Sequence, residues 1–157
     1  MSGGISVGRL TLPGEVERVW RGFSGLFVPS LEEDVADFDG LVAKIFRFGT
    51  TLVATDGGRV AGAISFYSND HVGLDAFVTL LAVAPEWRRR GVGSLLIGRA
   101  KAISAESGMR RMRLEVRKDN PSAALFYTRM GFVADGPRGD FESMVCSLDV
   151  SNGGDAR

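Results

Sequence analysis

Residues 76–83 form a nearly uninterrupted apolar run, Ala-Phe-Val-Thr-Leu-Leu-Ala-Val, which stops at Ala84-Pro85 and leads into three consecutive arginines and two glycines. Such a run, with little polar alternation, predicts a strand covered on both faces, and that demands a sheet with layers on either side. Helical spacing then takes over across 91–107, with Val92, Leu96, Ala100 and Ile103 on one stripe and Gly108 placed to end the helix. A buried strand feeding a long helix through a basic, glycine-bearing turn is the frame that the remaining elements must fit.

Those elements read in order. A short strand is predicted over 5–11. Pro13 then suits a first helical turn and opens a run with Val16, Val19, Trp20 and Phe23 at helical spacing. The stretch 37–48 repeats that pattern with Phe38, Leu41, Val42, Ile45 and Phe46 on one face. The period changes at 50–55 and 59–67, which are rich in β-branched and aromatic residues and are separated by Asp56-Gly57-Gly58, a hairpin turn. Residues 112–116 predict a further strand and 121–130 a helix, with Asn120 as its N-cap and Pro121 in its first position. Strands at 132–134 and 141–148 complete the set. The fold class is α/β, with a central mixed sheet of about six to seven strands and helices on both faces. One domain spans 1–150, and 151–157 is expected to be a disordered C-terminal tail.

Composition removes several functions. Lys plus Arg and Asp plus Glu stand at 19 each, so net charge gives no general attraction to nucleic acid or to a membrane surface. The single cysteine, Cys146, cannot close an internal disulfide, and no cysteine and histidine spacing suits a metal. No apolar stretch approaches a membrane span, and residues 1–8 lack the basic start and apolar run of a secretory signal. The expected location is the cytoplasm.

The turn after the apolar strand carries the first chemistry. Backbone N–H groups at a helix start are unpaired and sit at the positive end of the helix dipole, while Gly91 and Gly93 leave room for an oxyanion to reach the main chain. Arg88, Arg89 and Arg90 add charge and bidentate donors. The pattern is not the dinucleotide fingerprint, which would need glycine at Leu96, nor does it hold the Gly-Lys-Ser/Thr of a triphosphate loop. A diphosphate of another kind is the expected ligand; the bland alternative is a solvated arginine-rich turn.

A second motif lies in Asn120-Pro-Ser-Ala123-Ala-Leu-Phe-Tyr127-Thr-Arg-Met-Gly131-Phe132, just after the strand Arg113-Leu114-Glu115-Val116-Arg117. Here the chain resembles the GNAT N-acetyltransferases. The Arg-x-x-Gly-x-Gly turn, the Asn-x-x-Ala-x-x-x-Tyr-x-x-x-Gly-Phe segment and the element order coincide over roughly residues 50–135. The resemblance implies a splayed pair of parallel strands, 76–83 and 112–116, with acetyl-CoA wedged between them. It also implies that the main chain at Leu81, Ala82 and Val83 holds the thioester and pantetheine arm, and that Arg88, Arg89, Arg90, Gly91, Val92, Gly93 and Ser94 cradle the pyrophosphate. On the same basis Asn120, with Ser122 beside it, binds the pantetheine, and Tyr127 faces the sulfur. No metal is implied, and the resemblance leaves room for a homodimer.

The expected reaction is direct attack of a primary amine on the thioester. The departing thiolate is best protonated as it leaves, and Tyr127, with an ordinary pKa near ~10, suits a general acid. The alternative is that Tyr127 only packs. The incoming ammonium must lose a proton, and Glu115, on the face of its strand shared with Arg113 and Arg117, is the candidate base, directly or through a water relay. A Leu-Glu-Val-Arg strand at this distance from the tyrosine resembles the ribosomal-protein N-terminal acetyltransferases, in which that glutamate is the base. Pairing of Glu115 with a neighbouring arginine is the competing reading.

Phe27, in the segment 27–31, is a candidate wall of the acceptor site, and Thr79, Asp75 and His71 are candidates for its amine side; the acidic Glu32, Glu33, Asp34, Asp140 and Glu142 offer attraction for an ammonium. A small-molecule amine is the expected acceptor, with a protein N-terminus or lysine as the alternative. A noncatalytic acyl-CoA-binding sensor is the rival from another class. Arg110, Arg111, Arg113, Arg117 and Lys118 read as a solvated face.

Overall fold

The computed structural model describes residues 4–27 and 29–148. Along the chain run β1 (Ser6–Arg9), α1 (Pro13–Phe23), a 3-10 turn (Ser24–Leu26), α2 (Leu31–Asp34), α3 (Phe38–Phe48), β2 (Thr50–Asp56), β3 (Arg59–Tyr67) and β4 (Asp75–Val83). A second 3-10 turn (Pro85–Trp87) leads to α4 (Val92–Glu106), β5 (Arg111–Arg117), α5 (Pro121–Arg129), β6 (Val133–Arg138) and β7 (Phe141–Ser147). The seven strands form one mixed sheet in the order β1-β2-β3-β4-β5-β7-β6, with β4 and β5 parallel. This is the expected fold class. The predicted tail at 151–157 lies outside the described residues.

Among the described residues two compact units are distinguishable, one from the stretch up to Phe66 with Leu80–Leu96, and one from Tyr67–Thr79 with the stretch from Ile97 onward. In the first, the apolar stripe of α1 buries Val16, Trp20 and Phe23, and that of α3 buries Phe38, Val42 and Ile45. Trp20 is fully buried, so its indole N–H needs a partner, and it donates to Ser65 Oγ of β3 at 2.8 Å. Ser65 pairs in turn with Thr51 Oγ1 at 2.7 Å, directly across the β2–β3 register.

Gly62 faces the other way along β3, three residues from Ser65 in a period-two strand. A Cβ built there would stand 2.9 Å from the Ala82 carbonyl oxygen, 3.1 Å from Val92 and 3.3 Å from Leu96. Only glycine lets β4 and the first turns of α4 come this near. Helices therefore cover both faces of β3, α1 on the Ser65 side and α4 on the Gly62 side.

In the second unit, β5 alternates as the sequence predicts. Met112, Leu114 and Val116 are buried, while Arg111 and Glu115 are exposed. Its antiparallel register with β7 runs from Arg111 opposite Ser147 to Arg117 opposite Phe141. The parallel register of β4 with β5 covers Asp75, Ala76 and Phe77 against Arg111, Met112 and Arg113, and both strands continue beyond it.

Four expectations need revision. β4 is not covered on both faces: Ala76, Val78, Leu80 and Ala82 are buried, whereas Phe77, Thr79, Leu81 and Val83 are only half-buried. β6 extends to Arg138 instead of ending at 134, because a bulge between Ala134 and Pro137 lets the strand pass Gly136 and resume pairing with β7. The one-turn helix α2, for which the sequence reading assigns no element, starts at a capping box formed by Ser30 and Glu33. Finally, the arginines of β5 are not merely solvated. Arg111 and Arg113 both hold the Asp75 carboxylate, through Nε at 2.6 and 2.9 Å, and Arg113 reaches Asp135 as well.

Candidate functional site

The turn that ends β4 is pinned from below. Trp87 is buried, the Arg59 guanidinium lies 4.8 Å above its ring, and Arg59 pairs with Glu86 at 3.1 Å. Arg88 returns its Nε to the Val83 carbonyl at 3.3 Å. Beyond it the backbone enters the left-handed region twice, at Arg89 (φ 65°) and Gly91 (φ 81°). A non-glycine residue held there is strained, and such strain is kept where surrounding structure or function requires it.

The first helical bond of α4 runs from Leu95 N–H to the Gly91 carbonyl at 3.0 Å, so the N–H groups of Val92, Gly93 and Ser94 have no acceptor within the helix. Nothing stands within 4 Å of the Cβ direction at Gly91, and the side chains of Arg89 and Arg90 are exposed without a hydrogen bond or ion pair among the described residues. Open space, unpaired N–H groups, a helix N-terminus and two uncommitted guanidinium groups together suit an anion with several oxygens. Leu81 and Val83 are half-buried and Ala82 is buried on the strand that leads into the turn.

In the second unit, Asn120 caps α5 as predicted, its Oδ1 accepting the Ala123 N–H at 3.2 Å. The cap uses only the side-chain oxygen of Asn120. Ser122 is exposed one residue into the first turn. Tyr127 is half-buried, with its ring edge-on to Phe126 (centroids 5.2 Å apart) and to Phe132 (5.7 Å). Its hydroxyl has no hydrogen-bond partner among the described residues, and burial pushes its pKa up to about 12. It is therefore a phenol that stays protonated throughout the neutral range.

Glu115 meets an arginine, but not one on its own strand: Arg138 of β6 stands 3.7 Å from its Oε2, beyond hydrogen-bond range. Both groups reach solvent, so this pairing holds the carboxylate only loosely. Asp75 is committed to Arg111 and Arg113. Burial alone would raise its pKa, and the two arginine hydrogen bonds overcome that and hold it below the ordinary value. His71 is exposed in the turn before β4, where Asp70 Oδ1 accepts the N–H groups of Val72 and Gly73. Thr79 lies half-buried on the Phe77 and Leu81 face of β4. In the first unit Phe27 packs edge-on to Trp20, its centroid 6.5 Å away. Of the acidic residues expected to attract an ammonium, Glu32 is taken by Arg21 and Glu142 by the Gly136 N–H.

Two residues near these groups carry no sequence signal. Arg138 reaches Glu115 only because the β5–β7–β6 order brings it there. Lys101, on α4, is directed at the far end of α5, where its Nζ donates to the Met130 carbonyl at 2.5 Å.

The fold and its turn define a class of protein: a mixed α/β sheet in which one strand of the parallel pair, β4, leads through a basic, glycine-bearing turn into a helix start. Residues 17–132 match the acetyltransferase (GNAT) family, and the chain belongs to that family. N-alpha-acetyltransferase 30 of Schizosaccharomyces pombe is 31% identical over 84 residues, covering 52% of this chain and 56% of that protein. The chain spans about half the length of the curated relatives it matches. Among solved structures, Ard1 from Thermoplasma volcanium is 26% identical with a TM-score of 0.69, covering 91% of this chain and 97% of that one. A candidate streptothricin acetyltransferase from Bacillus anthracis, solved in complex with acetyl coenzyme A, is 25% identical with a TM-score of 0.58, covering 65% of this chain and 64% of that one.

Proposed function

We propose that the protein transfers an acetyl group from acetyl-CoA to a primary amine. The observation that carries this reading is the turn at residues 88–94, with its two left-handed residues, its unpaired helix-start N–H groups and its open Gly91. Those features fit a pyrophosphate, and the family and the acetyl-CoA-bound relative support that choice. Acetyl-CoA supplies an activated thioester and a thiolate leaving group. Arg88, Arg89, Arg90 and the N–H groups of Gly91, Val92, Gly93 and Ser94 hold the diphosphate. Leu81, Ala82 and Val83 present backbone groups to the pantetheine arm, with Asn120 and Ser122 as side-chain donors.

Tyr127 donates a hydrogen bond to the departing sulfur. With its pKa at about 12, complete proton transfer to a thiolate, whose thiol sits near ~8.5, is uphill, so stabilisation by the donated bond is its main contribution. Glu115 takes the amine proton directly or through water, and its loose, solvent-reaching pairing with Arg138 leaves the carboxylate available for this. A small-molecule amine is the first acceptor class. The N-alpha-acetyltransferase relative favours a second, the α-amine of a polypeptide N-terminus.

Calorimetric titration with acetyl-CoA, followed by thiol release over a panel of amino sugars, polyamines, amino acid derivatives and short peptides, tests the reading. Binding with amine-dependent release supports it and separates the acceptor classes. Binding without turnover over the whole panel replaces the enzyme with an acyl-CoA sensor, and no binding overturns the assignment of the turn.

A further inference from the structure

We infer that Lys101 is a positioning residue for Tyr127, aligning its hydroxyl by tying down the last turn of the helix that carries it. The inference rests on the transferase reading above and deepens it.

The Tyr127 hydroxyl has no hydrogen-bond partner among the described residues to set its direction, so its aim depends on the ring and on the backbone beneath it. Both are controlled from the C-terminal end of α5. The Tyr127 carbonyl accepts the N–H groups of Met130 and Phe132, each at 3.0 Å, closing the helix with Gly131 in the left-handed region at φ 100°. Phe132 is fully buried and stands edge-on to the Tyr127 ring. Lys101 engages this closing turn twice. Its Nζ donates to the Met130 carbonyl, one of the acceptors that a helix end leaves unpaired, and lies 5.3 Å from the centre of the Phe132 ring.

A cation at the carbonyl end of a helix is favourable in itself, so Lys101 also stabilises α5. What distinguishes positioning from stability alone is the route through one hydroxyl. Small misplacements of a reacting group cost large factors in rate without altering ligand affinity.

The test is a double-mutant cycle on thiol release with the full-length chain. Lys101→Met keeps the aliphatic stem and removes the donor. In the otherwise unchanged protein, kcat is expected to fall about tenfold, with KM for acetyl-CoA held within about twofold. In the Tyr127→Phe background, the same substitution is expected to change kcat by less than about twofold, since no hydroxyl remains to be aimed. Equal loss in both backgrounds, or a loss confined to KM, overturns the inference. Should Lys101→Met not fold, Lys101→Gln, which removes the cation and shortens the side chain that reaches the Met130 carbonyl, is put through the same cycle with the same two criteria. Failure of the transferase reading shows separately, as the absence of amine-dependent thiol release from the unmodified protein.

Discussion

Trp20 and Ser65, 45 residues apart in the chain, meet inside the core through an indole N–H to hydroxyl bond of 2.8 Å, and the Thr51 hydroxyl is hydrogen-bonded to the same oxygen at 2.7 Å. Ser65→Ala leaves the Trp20 N–H buried without its acceptor and the Thr51 hydroxyl without its partner. An unfolding loss of about 2 kcal/mol is expected. Urea denaturation reads it as a lower midpoint at unchanged slope, and an unaltered midpoint would show that the buried polar trio contributes nothing net.

At Gly62, Ala82 of β4 and Val92 and Leu96 of α4 close directly on β3. In Gly62→Ala the new methyl group meets the Ala82 backbone oxygen at 2.9 Å, an atom that cannot swing aside as a side chain would. A stability loss of about 1–3 kcal/mol is expected from overpacking. Acetyl-CoA affinity should also fall, because Ala82 and Val92 flank the turn. A variant as stable and as tight-binding as the parent would contradict the packing described.

Arg89 occupies the left-handed region with an L side chain. Arg89→Gly relieves that strain, which costs roughly 1–2 kcal/mol per residue, and removes one of the two uncommitted guanidinium groups. The melting temperature should rise while acetyl-CoA affinity falls and becomes less sensitive to salt. Affinity unchanged at low salt would remove Arg89 from the diphosphate site.

The Asp75 carboxylate titrates below its ordinary value in the folded protein because Arg113 and Arg111 outweigh its partial burial. A group with a lowered folded pKa contributes stability above its unfolded value, near ~3.9, and loses it as the pH falls through the folded value. Asp75→Asn should therefore be less stable than the parent at pH 7, with the gap closing below about pH 4. Denaturation curves at pH 7 and pH 3 decide this, and a gap independent of pH would assign the loss to packing.

Tyr127 carries the opposite sign, its folded pKa being raised by burial to about 12. Its contribution is complete below the unfolded value near ~10 and is lost as the pH climbs toward the folded one. Tyr127→Phe should leave acetyl-CoA affinity nearly intact and lower kcat by about 10²-fold or more. It should also flatten the fall in stability between pH 10 and pH 12. Normal turnover in this variant would remove the tyrosine from the reaction.

Much of this protein was readable along the chain because the deciding features are local. Pro13 and Pro121 stand in the first positions of α1 and α5, Asn120 caps α5, Gly57-Gly58 closes the two-residue hairpin, and β3 spans the predicted 59–67. Turn chemistry, capping and period are properties of neighbours in sequence, and so is the basic glycine turn before α4. The Ser30 and Glu33 capping box was equally local and would have revealed α2.

What tertiary structure alone decided is which distant groups share a charge or a face. Arg111 and Arg113 look like a solvated stripe until the parallel register lays them beside Asp75, 36 and 38 residues earlier. Glu115 gains Arg138 through the β5–β7–β6 order, and Lys101 reaches Met130 across 29 residues. The half-exposure of Leu81 and Val83 is likewise invisible in an apolar run. Sequence determines the backbone's local choices, through sterics and hydrogen bonds within a few residues. Pairing, burial and pKa depend on what the folded sheet places within a few ångströms, and no spacing along the chain encodes that distance.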